Sequence, residues 1–150
     1  MSELKPFDDK LAALIASLSP ASRRKMAAEI AKQLRASQQQ RIKRQQAPNG
    51  TPYASRRQPV RGKKGRVKRA MFAKLRTNRY MKVSSSSNEA LVEFVGRVQR
   101  IARVHQEGLI DKPTKYSKKM RYEKRELLGF QIDARDQILE IIADNIASLC

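Results

Sequence analysis

The sequence predicts an α+β fold, in which an N-terminal helical hairpin and a basic loop precede a small antiparallel β-hairpin or sheet packed with two helices. Three observations support this fold class. Apolar residues recur at helical spacing in the first 34 residues, two alternating apolar segments flank a serine-rich turn, and an isoleucine-rich stripe ends the chain. A length of 150 residues allows one modest core.

The first two predicted helices form a hairpin. An apolar stripe at residues 6–18 comprises Phe7, Leu11, Leu14, Ile15 and Leu18. Ser19 and Pro20 are typical of an N-cap and a first-turn proline, and Met26, Ile30 and Leu34 follow on one face of the second helix. Beyond Leu34 the stripe thins to Ile42, so we expect a helix that continues to about Gln46 and whose far end needs a partner.

Residues 47–66 carry three prolines, three glycines and many positive charges, with almost no large apolar side chains. This composition predicts a flexible linker or loop, which could be a mobile arm or could become ordered on a partner. The sequence therefore predicts a helical hairpin at 1–46, a basic linker or loop at 47–66 and an α+β assembly module at 67–150.

The assembly module is predicted to begin with a basic helix and a β-hairpin. Its expected elements are a short helix at Val67–Arg76, strands at Arg79–Ser84 and Ala90–Val95, and a helix at Arg97–Glu107. Gly96 marks a break, and Gly108 suits a left-handed C-terminal cap. Asp133 and Asp136 could cap a last helix that packs on the sheet through Ile138, Ile141, Ile142, Ile146 and Leu149.

The net charge of +19 is concentrated in one part of the chain. Of the 33 Lys and Arg residues, 17 lie between Glu29 and Glu89, a stretch without any Asp or Glu. Such a block repels itself, so it favours a polyanionic or acidic partner. Three roles stay open: docking on an acidic protein ring, contact with the DNA backbone, or a merely solvated arm.

The residue inventory argues against catalysis and against a metal or cofactor site. The chain has one histidine, His105, and one cysteine, Cys150, so neither a catalytic triad nor a four-ligand zinc site can be assembled. A lone histidine on the apolar side of a short helix is more often a packed residue bonded to backbone than a proton carrier. No internal disulfide can form, and no signal peptide or membrane span is evident, so we expect a soluble protein of a reducing cytoplasm.

Three separated blocks of sequence carry a family resemblance. They are the opening KPFDDKLAALIASLSPASRRKMAAEIAKQLR, the central LRTNRYMKV with GRVQRIARVHQEGL, and the later YEKRELLG. Their order and spacing resemble those of the phage virion-morphogenesis family, to which the tail-completion proteins of contractile-tailed (Peduovirus-like) bacteriophages belong. One departure is Glu123, which follows Tyr122 where the family pattern has a proline.

The resemblance implies a structural protein that completes the head-proximal end of a tail and makes it competent for head-tail joining. It implies tail tube or tail-terminator proteins and head-connector proteins as partners, a homo-oligomeric ring that a tail tube suggests is hexameric, and a place in the virion neck after assembly in the host cytoplasm. Contact with genome DNA is a further expectation, whereas no enzyme activity and no cofactor are implied.

Two groups of residues are candidates for these contacts. The basic arm comprises Arg56, Arg57, Arg61, Lys63, Lys64, Arg66, Lys68 and Arg69. The family-signature segment comprises Arg97, Arg100, Arg103, His105, Gly108, Tyr122, Arg125, Glu126 and Gly129. The alternative interpretation is a sequence-nonspecific nucleic-acid-binding protein that uses the basic segment 41–82, where Lys and Arg would contact phosphates.

Overall fold

A computed structural model describes residues 5–56 and 70–148 and confirms the α+β class. Its elements are α1 (Lys5–Ala16), α2 (Pro20–Lys43), β1 (Met81–Ser85), β2 (Ala90–Phe94), a 3-10 helix (Gly96–Val98), α3 (Gln99–Glu107), β3 (Ile110–Asp111), β4 (Met120–Arg121) and α4 (Ala134–Ala147). β1 pairs with β2, and β3 pairs with β4 in an antiparallel register that sets Ile110 opposite Arg121. The β-hairpin and the four principal helices thus follow the predicted order.

The described residues form two compact units that are not continuous in sequence. The first comprises the residues up to Leu34, Val83–Val92 and the residues from Asp133 onward. The second comprises the described residues of 35–82 together with Glu93–Ile132. Both α2 and the β1–β2 hairpin contribute residues to each unit.

The first unit is held by an apolar cluster of three helices. Leu18, Met26 and Ile142 are buried at its centre. The partly buried side chains around them are Leu11, Ile15, Ile30, Ile138, Ile141 and Ile146. This packing corrects the expectation that the last helix packs on the sheet, because its isoleucine stripe lies against α1 and α2. The side chain of Phe7 and residue Leu149 lie outside what the structure describes.

Both predicted N-termini are present, and one has the predicted cap. The Ser19 hydroxyl accepts a hydrogen bond from the Ser22 backbone N–H at 3.1 Å, as an N-cap should. Asp133 precedes α4 but makes no side-chain capping bond to its backbone. Its carboxylate instead accepts a hydrogen bond from Gln137 Nε2 at 3.2 Å.

The far end of α2 does not await a partner, as the sequence suggested, but is buried in the second unit. Gln38, Arg41 and Ile42 are all buried. The helix ends at Lys43, and Gln45 adopts a left-handed conformation with φ 58°. Polar side chains occupy this interior because they meet backbone groups of distant loops, a pattern that apolar spacing does not reveal.

The helix predicted at Val67–Arg76 is wrong for its described part, and residues 67–69 lie outside the described ranges. Residues 71–76 form turns, and Phe72 has a φ of +66°. A left-handed residue interrupts a right-handed helix. By contrast, Gly108 ends α3 in the predicted left-handed cap with φ 65°.

Candidate functional site

The predicted basic arm begins at Arg56, which is the one member of that set within the described residues. The others lie outside them: Arg57, Arg61, Lys63, Lys64, Arg66, Lys68 and Arg69. The candidate site that can be described is therefore the surface from which this segment departs and to which it returns, together with the signature residues around it.

The residues just before the arm are fixed by a buried tyrosine and a buried arginine. The Tyr53 hydroxyl donates to the Glu126 carbonyl oxygen at 2.7 Å. Arg125, which is 6% exposed, donates from Nε to the Ala54 carbonyl at 2.8 Å and from Nη2 to the Ser55 carbonyl at 3.0 Å. A guanidinium suits this task because its planar fork can serve two carbonyls at once.

The residues just after the arm are fixed by Gln45. Its Nε2 donates to the Met71 carbonyl at 2.8 Å, and its Oε1 accepts from the Met71 N–H at 3.1 Å. The adjacent Phe72 ring meets the Tyr53 ring edge to face, with centroids 5.6 Å apart. The chain therefore leaves and re-enters this surface at neighbouring points.

The Tyr53–Phe72 contact continues into a row of four rings that includes His105. The centroids of Phe72 and His105 are 4.9 Å apart, and those of His105 and Tyr122 are 5.1 Å apart. Burial, followed by the nearby Arg125 guanidinium, lowers the pKa of His105 to about 4. The imidazole is thus neutral at neutral pH, as a packed residue would be, but its buried Nδ1 finds no hydrogen-bond partner among the described residues.

A cavity of about 420 Å³ opens beside this row of rings. It is lined by Arg56, His105, Pro113, Met120, Tyr122, Glu123 and Arg125. Partial burial, followed by the Asp111 carboxylate, raises the pKa of the Tyr122 phenol. The cavity therefore carries neutral rings and guanidinium groups at neutral pH, and it offers no nucleophile paired with a base.

The three signature arginines lie on one short stretch of helix. Arg100 pairs with Asp111 at 2.5 Å, and Arg103 pairs with Glu107 at 3.1 Å, while Arg97 is exposed on the 3-10 helix. The Lys112 backbone N–H and the Arg100 guanidinium hold the pKa of Asp111 below its usual value. Because both arginines in these pairs are largely exposed, the pairs are weak and can be exchanged for other carboxylates.

The remaining signature glycines are explained by close backbone approaches. A Cβ on Gly108 would lie 3.2 Å from the Lys124 nitrogen, and one on Gly129 would lie 2.6 Å from Cγ of Pro48. Glu126 contributes its carbonyl to Tyr53, while its carboxylate lies 3.5 Å from Lys124 Nζ. The signature thus includes positions at which the main chain of one loop contacts another.

Sequence reasoning missed a buried polar network that holds residues 127–131. Arg41 donates to the Leu127 carbonyl and, at 3.4 Å, to the Gly129 carbonyl. Gln106 Oε1 accepts from the N–H groups of Leu127 and Leu128 at 2.8 and 2.9 Å, and its Nε2 donates to the Leu128 carbonyl. The only available signal was the closeness of Arg41 to the apolar Ile42, which by itself does not distinguish a buried guanidinium from a solvated one.

Within residues 5–56 and 70–148 no three His, Cys, Asp or Glu side chains are grouped so that they could hold a metal ion. In the same part of the chain, no helix has the length and apolar character to cross a membrane. Cys150 lies outside the described residues. The geometry found here is that of anchored loops, weak exposed ion pairs and a lined cavity, which are features of a binding surface.

Comparisons with known proteins agree with the sequence blocks. A tail completion protein S from Escherichia phage P2 is 51% identical over 144 residues, which cover 95% of this chain and 96% of that protein. No solved structure matches the chain at a significant level. The model of the phage virion morphogenesis family matches residues 2–147. Because that match spans nearly the whole sequence, the chain belongs to the phage virion morphogenesis family.

Proposed function

We propose that the protein completes the head-proximal end of a phage tail and makes that tail competent for head-tail joining. The observation that carries this proposal is the 51% identity, over nearly the full length of both chains, to a protein named for tail completion. The role is one of binding and not of catalysis, which the lack of an acid-base pair or metal cluster among the described residues supports. The protein acts in the host cytoplasm during assembly and takes its place at the neck of the virion.

The basic arm is proposed as the principal contact with a partner. Its neighbours on both sides are anchored by Arg125, Tyr53 and Gln45, so the arm starts and ends at fixed points. A charged segment with fixed ends loses less entropy on binding than a free tail does. Candidate partners are tail tube or tail-terminator proteins and head-connector proteins, on which the protein would sit as a ring, with six copies if it follows the symmetry of the tube.

A second contact is proposed at Arg97, Arg100 and Arg103. The carboxylates that now pair with Arg100 and Arg103 belong to the same unit and are partly solvated. An acidic partner could replace them at little cost, because exposed pairs contribute about 0–1 kcal/mol. Binding would then depend on salt concentration.

The alternative, nonspecific binding of nucleic acid by segment 41–82, is favoured only by the run of positive charge. Binding to phosphates would fall steeply with salt and show little sequence preference. The comparisons name no nucleic-acid function. Contact between the arm and genome DNA remains compatible with the tail-completion role.

The test is to add labelled protein to tails purified from a phage mutant that lacks it, and to pellet and image the tails. Label at one end only, followed by joining when filled heads are added, is the expected result. No tail binding at any salt concentration, with the protein retained on duplex DNA instead, would overturn the proposal and favour the nucleic-acid interpretation.

The arm can be tested with a matched control. One variant replaces Lys63, Lys64, Lys68 and Arg69 by glutamine, and the control replaces the exposed Lys112, Lys115, Lys118 and Lys119 in the same way. Both remove four positive charges, so a general charge effect would appear in both. We expect the arm variant alone to lose joining while it keeps the folded far-UV circular dichroism spectrum. Equal joining by the two variants would rule out a specific role for the arm.

A further inference from the structure

Two large apolar side chains protrude from the segment 127–132 of the second unit. Phe130 is 76% exposed and Ile132 is fully exposed. The segment contains no charged residue, although 31% of the chain is charged. Exposed apolar residues are common one at a time, so exposure alone assigns no role. The way in which the backbone beneath them is held decides the matter.

The backbone of this segment is fixed from below by buried polar side chains. Arg41 and Gln106 bind its carbonyls, and Gln38 Oε1 accepts a hydrogen bond from the Gly129 N–H at 3.2 Å. Gly129 also lies so close to Pro48 that no side chain would fit. A segment held this firmly presents Phe130 and Ile132 in one arrangement, which lowers the entropic cost of docking them.

A receiving cavity lies in the same unit, between β2 and α3. Its volume is about 440 Å³. Its lining consists of Glu93, Phe94, Gln99, Ala102, Arg103, Gln106, Glu107 and Leu128. Phe94, Ala102 and Leu128 provide apolar surface. A cavity of about 150 Å³ already accommodates a benzene ring, so there is room for an aromatic and a branched aliphatic side chain.

We propose that Phe130 and Ile132 of one copy of this chain dock in the β2–α3 cavity of a second copy. Each copy carries both the protruding pair and the cavity, so contacts between identical chains can form. The charges favour this occupant. The cavity rim carries Glu93 and Glu107, which suit a basic neighbour, and this chain has a net charge of +19. An acidic partner would instead face like charge there.

The contact is the centre of an interface and is weak alone. The two side chains expose on the order of 300 Å² together, against the roughly 800 Å² per partner of a stable complex. Association should therefore require high protein concentration and enough salt to screen the repulsion between two basic chains. The proposal goes beyond tail completion and does not depend on it, because it concerns the purified protein in solution.

Sedimentation velocity over a range of concentrations, at about 0.5 M salt to shorten the screening length, tests the association. We expect the average mass of the wild-type protein to rise with concentration and that of Phe130→Ser with Ile132→Ser to stay monomeric. Tyr116→Ser is the matched control, since Tyr116 is 92% exposed outside the segment and should associate like wild type. A wild-type protein that stays monomeric at the highest concentration, or equal association by all three, overturns the proposal.

Disulfide trapping identifies the contact itself. In a Cys150→Ser background, a chain with Ile132→Cys is mixed with a larger tagged chain carrying Gln99→Cys at the cavity. Fast formation of the mixed disulfide is expected, with Tyr116→Cys against Gln99→Cys as the slow control. Equal rates for the two pairs would overturn the assigned contact. The double serine variant is also tested for binding to tail ends, so that failure of self-association and failure of tail completion are read separately.

Discussion

Arg41 donates a hydrogen bond from its guanidinium to the backbone carbonyl of Leu127, 86 residues further along the chain. Both residues are buried, with Arg41 2% exposed. Burial lowers the pKa of Arg41, but an arginine remains charged in a protein. A buried charge is stable only where it is fully hydrogen-bonded, and here the carbonyls of residues 127–131 provide part of that bonding. The end of α2 and the loop after Arg125 are therefore one structural element.

Replacing Arg41 by methionine should lower the free energy of unfolding by about 3 kcal/mol. The methionine keeps much of the side-chain volume but leaves the Leu127 and Gly129 carbonyls without their donor. Urea denaturation of the variant measures the loss. Arg44→Met, at an exposed position one turn of chain away, should change the same quantity by about 0.5 kcal/mol at most. Similar losses for the two variants would show that Arg41 is not special.

The elements that the sequence predicted well are those governed by local spacing. The isoleucine stripe of α4, the Ser19 cap and the Gly108 cap depend on residues within a few positions of one another, so they can be read from the chain. The packing of α4 was wrong because an apolar stripe shows that a face is buried but not what covers it. Nothing local distinguishes a sheet from the pair α1 and α2.

The candidate site was only partly predictable for a related reason. Phe72 lies in a pattern that favours a helix, but its ring contacts Tyr53 and His105 while its backbone takes a left-handed conformation. Long-range contacts of this kind override local propensity. The sequence identified His105 and Arg125 through the family blocks, whereas Arg41, Gln38 and Gln106 carry no local sign of burial.

Acid should weaken the fold through His105. Its pKa is about 4 in the folded protein and near 6.5 when unfolded, so as the pH falls below about 6.5 the unfolded chain binds the proton first. The contribution is fully present above that pH and is lost as the pH falls towards 4. With allowance for the partial exposure of the ring, the loss is on the order of 1 kcal/mol.

The chain has a single histidine, which makes this measurement direct. The imidazole proton resonances, followed by NMR through acid pH, should give a pKa near the folded value. In parallel, thermal unfolding of the wild type and His105→Gln is compared at pH 7 and pH 5. The wild-type melting temperature should fall more between these pH values. An NMR titration midpoint near 6.5 would contradict the burial of the ring.

Gly129→Ala should destabilise the protein by about 1–3 kcal/mol, because the new methyl group would overlap with Cγ of Pro48. The change introduces no polar group and no unfavourable φ, so the cost is steric. Thermal unfolding measures it. Pro48→Ala in the same chain removes the overlapping atom and should restore part of the loss. An additive effect of the two substitutions would show that they do not interact.

Arg125→Lys should loosen the residues that precede the arm and, through them, reduce head-tail joining. Lysine keeps the charge, but its single ammonium cannot reproduce the fork that binds the carbonyls of Ala54 and Ser55 at 2.8 and 3.0 Å. We expect faster hydrogen exchange in a peptide covering residues 53–56 and a loss of about 2 kcal/mol in stability. Lys124→Ala is the control, since its pair with Glu126 is exposed and contributes little. If exchange in this peptide is unchanged in Arg125→Lys, the two carbonyl bonds do not anchor the arm, and any joining defect must arise elsewhere.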